Sequence, residues 1–144
     1  MILAYISIDI EFRLCYNIIG GNHMSQFSKT VLASSLITDT SYSDVVSNTP
    51  PLTQGHIIVN VSARTSGSIT PSIEAYDVAS ESWYTLLTGT AINSVSTAVL
   101  KIGPAFTASA NASSSDMLPQ TWRVKLTTAS STSLTASIGI NVAP

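Results

Sequence analysis

General acid–base catalysis requires a carboxylate or histidine held within hydrogen-bond reach of one substrate position. The sequence offers Glu74, Asp77, Glu81 and Asp116 for that work. Asp77 and Glu81 flank one polar run, Asp-Val-Ala-Ser-Glu-Ser, so a turn there would bring them near each other. Aspartate and serine recur in turns because their side chains satisfy neighbouring backbone groups. The expectation is therefore a capping Asp77 and a solvated Glu81, with a hydrolase pair as a remote reading. Metal chemistry finds less support. His23 and His56 lie far apart without ligand-spaced partners, and Asp77, Ser80 and Glu81 supply too few oxygens for a Ca²⁺ loop. Serines abound, yet no Gly-x-Ser-x-Gly elbow holds one. Cys15 is the single cysteine, which excludes an intramolecular disulfide. These residues predict a non-enzyme with no cofactor and no metal.

Aromatic residues make a stronger case for binding. Tyr76, Trp83 and Tyr84 surround the same polar run, and rings so placed could stack on a sugar. Trp83 and Tyr84 are adjacent, however, and successive strand residues point to opposite faces. One of the pair can be core while the other meets solvent. Trp122 alternates in phase with Val124 and Leu126 and reads as core. The surface left for contacts at this hairpin is Asp77, Glu81 and Tyr84.

The elements that must position these groups follow from composition and periodicity. The 144-residue chain carries a net charge of −2 and only 10% charged residues. Helix surfaces draw on Glu, Lys, Arg and Gln, and their scarcity beside abundant Ser, Thr, Val and Ile predicts an all-β chain. The six Lys plus Arg are scattered. Nucleic-acid binding needs a basic stripe to displace counterions, so no nucleic-acid partner is expected.

Alternation then marks the strands. Ile57, Val59, Val61 and Ala63 share one face of a strand over 55–65, and Ile69, Ile73 and Ala75 share one face of the next. "TSGS" (65–68) and "DVASES" (77–82) are turns, and the strand starting at Trp83 closes a hairpin. Further strands are expected over 28–38, 42–46 (a short edge strand) and 95–102. Two more span Trp122 to Leu126 and Leu134 to Val142. Residues 105–116 read as a long connection. Seven or eight short strands with regular turn signals predict a single antiparallel β-sandwich over 24–144, immunoglobulin-like or jelly-roll in topology.

Residues 1–23 read as a strand-like arm. Ile2, Ala4, Ile6, Ile8, Ile10, Phe12, Leu14 and Tyr16 alternate with Ser7, Asp9, Glu11 and Arg13. Those charges disfavour a secretory signal and a membrane span, so no membrane association is expected. Met24 is itself a plausible start, which makes 1–23 either an arm or a translated upstream stretch. As an arm, the apolar row including Ile6, Ile8, Ile10 and Phe12 is an interaction surface. Burying each large aliphatic side chain is worth roughly 1.5–3 kcal/mol. A homo-oligomer is expected on these grounds. Sequons at Asn60 and Asn111 read as chance matches.

The stretches "PSIEAYDVASESWYTLL" and "VLKIGPAF…NASSSDMLPQTWRVKLTT…SLTASIGINV" carry a resemblance. They are similar to small β-sandwich virion structural proteins of tailed bacteriophages. The shared pattern is a strand ending in Asp77-x-x-Ser80, the Trp83 strand, a Pro-containing turn at Gly103-Pro104, and Leu118-Pro119-x-x-Trp122-Arg123-Val124. Here the turn runs Gly-Pro-Ala where the group has Pro-Gly. The resemblance covers roughly residues 55–142 and brings no catalytic residues. It implies a virion location and a capsid decoration or cement role, with a neck or tail subunit as the alternative. Major capsid protein or tail and neck proteins would be the partners, and a trimer the assembly. The reading from another class is a carbohydrate-binding β-sandwich module.

Overall fold

The computed structural model describes residues 27–47 and 52–144. Among these residues there is no helix. In chain order the strands are β1 (Phe27–Ile37), β2 (Ser41–Tyr42), β3 (Val46–Ser47), β4 (Gln54–Ser66), β5 (Ile69–Asp77), β6 (Ser82–Thr88), β7 (Ser96–Ile102), β8 (Ser113–Ser114), β9 (Thr121–Thr128) and β10 (Ser133–Ala143). They form two sheets, one ordered β1-β10-β4-β7-β8 and the other β2-β9-β5-β6, with β3 also paired to β9.

The alternation that marks these strands also fixes which side each buries. β10 sinks Leu134, Ala136, Ile138, Ile140 and Val142, and β4 sinks Ile57, Val59 and Val61 beside them. From the other sheet come Ile69, Ile73, Trp122, Val124 and Leu126, and all join one continuous apolar cluster. A one-residue slip of any of these strands would turn its whole apolar set to solvent, so the register is strongly specified. Pairing is antiparallel apart from β7 with β8, which run parallel.

Several expectations shift in detail. Ala63, expected on one face with Ile57, Val59 and Val61, is exposed, where the pairing of β4 with β10 shifts register between Val61 and Ala63. The strand expected over 28–38 occupies Phe27–Ile37. The short edge strand splits into β2 and β3, and both pair with β9. Between them Ser43 keeps the ladder going with its side chain. Its N–H donates to Val124 O at 2.8 Å, and its hydroxyl accepts from Val124 N at 2.9 Å. The next residue, Asp44, donates its N–H to Val31 O of β1 at 2.9 Å. The long connection over 105–116 contains β8, held by Lys101 N to Ala112 O at 2.9 Å and Gly103 N to Ser114 O at 3.0 Å.

Pro71 lies inside β5, although proline cannot donate to a ladder. Its position explains the tolerance. β6 ends at Thr88, opposite Ser72, and the Pro71 carbonyl accepts from Gly89 N at 2.7 Å. The β4–β5 turn needs a glycine for a different reason. Gly67 has φ +71°, and a Cβ there would overlap Thr132. Thr132 is buried, and its hydroxyl lies 2.8 Å from Ala129 O and 3.1 Å from Ser68 O, joining two turns at one corner.

Candidate interaction face on the second sheet

The hairpin that drew attention in the sequence is built as expected, with β5 and β6 joined across residues 78–81. Asp77 caps it. Its carboxylate accepts the Ser80 hydroxyl at 2.6 Å, Ala79 N at 3.1 Å and Ser80 N at 3.3 Å. The Ser80 hydroxyl first, and then the Ala79 N–H, hold the Asp77 carboxyl below its ordinary range. Glu81 is exposed and sits at φ 52°, in the left-handed region. The carboxylate of Asp77 is thus committed to its own turn.

Trp83 and Tyr84 do part to opposite sides. Tyr84 stands across from Ala75 and is 48% exposed. Trp83 stands across from Tyr76, with the ring centroids 5.2 Å apart. The more concentrated chemistry is on the Trp83 side, where it meets residues from β2 and β9.

Glu74 of β5 is directly opposite Arg123 of β9. Arg123 Nη2 lies 2.8 Å and Nε 2.9 Å from Glu74 Oε2, and Lys125 Nζ lies 3.5 Å from Oε1. The Glu74 side chain is only 8% exposed, whereas those of Arg123 and Lys125 are 21% and 31% exposed. The carboxylate is therefore the buried member and the cations are its cover. The Arg123 guanidinium also lies over two rings, Tyr42 and Trp83, at 4.1 Å from each centroid. That distance is well inside cation–π range. Planar stacking on two rings with an edge-on carboxylate bond suits arginine and would not suit lysine.

The result is a continuous row across the sheet: Tyr42 on β2, Arg123 on β9, Glu74 and Tyr76 on β5, Trp83 on β6. At a strand spacing of about 4.8 Å the row spans roughly 14 Å. Alternation with Trp122, Val124 and Leu126 turns Arg123 and Lys125 outward, but nothing in the sequence joins them to Tyr42 or Trp83. The contacts depend on cross-strand register between segments 40 to 80 residues apart.

The other singled-out residues go elsewhere. Trp122 is fully buried. His56 packs on Phe106 with centroids 5.4 Å apart, beside a groove lined by Phe27, Gln54, His56, Phe106 and Asn141. Asp116 accepts the Ser114 hydroxyl at 2.8 Å. Ile6, Ile8, Ile10 and Phe12, with Cys15 and His23, lie outside the described residues. Among the described residues no three of His, Cys, Asp and Glu gather as a metal site. No described helix is long and apolar enough to cross a membrane. Compared with known proteins, the chain matches no family model, no curated protein and no solved structure.

Proposed function

We propose that this chain is a non-enzymatic structural protein of a tailed-bacteriophage virion, a decoration or cement subunit that sits on the capsid in repeated copies. The observation that carries the reading is the strand order. Leaving aside the two-residue β3 and β8, the order β1-β10-β4-β7 in one sheet and β2-β9-β5-β6 in the other is the one an eight-stranded jelly-roll sandwich would have, and that architecture is used by viral capsid domains. An immunoglobulin-like sandwich divides its strands between the sheets differently. The surface chemistry agrees with the reading. Hydroxyls outnumber ions, the net charge is small, and little self-repulsion opposes packing of many copies.

In this reading the partner is the major capsid protein, the assembly is a homo-oligomer, and a trimer is the assembly we favour. A neck or tail subunit is the second position. The test is protein mass spectrometry of gradient-purified particles from the phage that encodes the chain. A copy number tracking the major capsid protein supports decoration, and a small fixed number moves the chain to the neck or tail. Absence from purified particles overturns the proposal.

A further inference from the structure

We propose that the outer face of the second sheet, centred on Arg123 between Tyr42 and Trp83, is a binding site for acidic saccharides. This goes beyond the particle reading and does not rest on it.

The first argument is preorganisation. A ligand that must order loose side chains loses affinity in doing so. Here the guanidinium is already fixed, with Glu74 on one edge and a ring centroid 4.1 Å away in each of two directions. Glu74 engages Nε and Nη2, and a guanidinium carries five N–H donors. Donors remain for a ligand, in a fork geometry that matches a carboxylate.

Charge supplies the second argument. The whole chain is net −2, yet this cluster sets two cations, Arg123 and Lys125, against the single carboxylate of Glu74. The face therefore attracts anions on a protein that otherwise repels them weakly.

The third argument is shape. Compact small-molecule sites are concave, whereas this row lies along the outside of a sheet and crosses four strands. Tyr42, 45% exposed, stands at one end of the row, and the Tyr76–Trp83 pair stands at the other. The guanidinium takes one face of Tyr42 and one of Trp83, and the remaining ring faces and edges at the two ends of the cationic centre would meet an extended ligand with apolar C–H faces and pendant carboxylates. A polymer of uronic or sialic type has that chemistry. An acidic peptide would supply the carboxylates without the flat C–H faces.

The test is calorimetric titration of the full chain with three probes: a galacturonate oligosaccharide, the matching neutral galactose oligosaccharide, and a glutamate oligopeptide. Saturable binding is expected for the galacturonate probe, with the neutral sugar weaker by about tenfold or more, the value of one charge-assisted contact. Tyr42→Ala and Trp83→Ala should each weaken galacturonate binding by about tenfold. Arg123→Lys should weaken it as well, although the charge is kept. Tyr42 is on the short edge strand, so its variant tests the site even if Trp83→Ala disturbs the sheet. Three results would each overturn the proposal. One is the absence of saturable galacturonate binding. Another is equal affinity for the neutral sugar or the glutamate peptide. The last is affinity unchanged in both ring variants with melting behaviour preserved.

Discussion

Replacing Arg123 with methionine keeps the stem of the side chain and removes the charge and the fork, which makes it the most informative single change in the molecule. Two effects add. Each cation–π contact at a partly exposed site is worth about 0.5–1 kcal/mol, and Arg123 makes two. Glu74, almost fully covered, would keep only Lys125 at 3.5 Å. Breaking a buried pair costs about 3–5 kcal/mol, and the partial exposure of both cations with the surviving Lys125 contact lowers this to roughly 1–2. The expected loss for Arg123→Met is therefore about 2–4 kcal/mol. Glu74→Leu should cost less, about 1 kcal/mol, because the stranded cation can turn to water. The double variant Glu74→Leu/Arg123→Met should be more stable than Arg123→Met alone, since no buried charge is then left unpaired. Urea titration measures all three. With a slope of about 2 kcal/mol per molar, mid-range for small proteins, the Arg123→Met midpoint should fall by roughly 1–2 M. The reasoning is refuted if Arg123→Met shifts the midpoint no more than an ordinary surface change, or if the double variant loses the sum of the two singles.

Three further outcomes are expected. The Asp77 carboxyl is depressed in the folded state, so its contribution is present above the ordinary Asp range and fades as pH falls through its lowered folded value. Protection of the Ala79 and Ser80 amides, exchange measured against the intrinsic rate at each pH, should fall over that acid window, and in Asp77→Asn that fall should vanish. Glu81→Gly should raise stability by about 0.5–1 kcal/mol, because a left-handed residue with a Cβ carries a cost that glycine lacks. A thermal melt no higher than the parent's would contradict it. Gly67→Ala should cost about 2 kcal/mol or more, from the positive φ and the overlap with Thr132 together. Restoration by Thr132→Ser in the same chain would contradict the overlap argument, since the colliding atoms include those that serine retains.

The main strands were legible because their chemistry is local. Ile57, Val59 and Val61 show period two in the sequence and are all buried on one side of β4, and the same holds for Leu134 through Val142 in β10. β8 gave no such signal. Ser113 and Ser114 are a strand because Lys101 N and Gly103 N donate to the carbonyls of Ala112 and Ser114, not because of their own propensity. The split of β2 from β3 comes from Ser43 between them, whose hydroxyl takes a peptide's place opposite β9, a pairing no local pattern announces. At the candidate face Tyr76 and Trp83 are visible in the sequence as neighbours of one turn, but their partners Arg123 and Tyr42 come from distant strands. The pairing of Glu74 with Arg123 follows from the β5–β9 register. Register between distant strands is set by the summed burial of both, which no single window of sequence contains.

The stitch at Ser43 and Asp44 has a mechanical consequence. Consecutive backbone amides of one peptide run in opposite directions there, Ser43 to β9 of one sheet and Asp44 to β1 of the other. Along this border a load applied to either sheet passes to the other through the backbone of a single residue, Ser43. Shearing the layers apart would have to break both hydrogen bonds together instead of peeling them in turn. Residues 43–44 would act as the rivet through which strain is shared between the two layers.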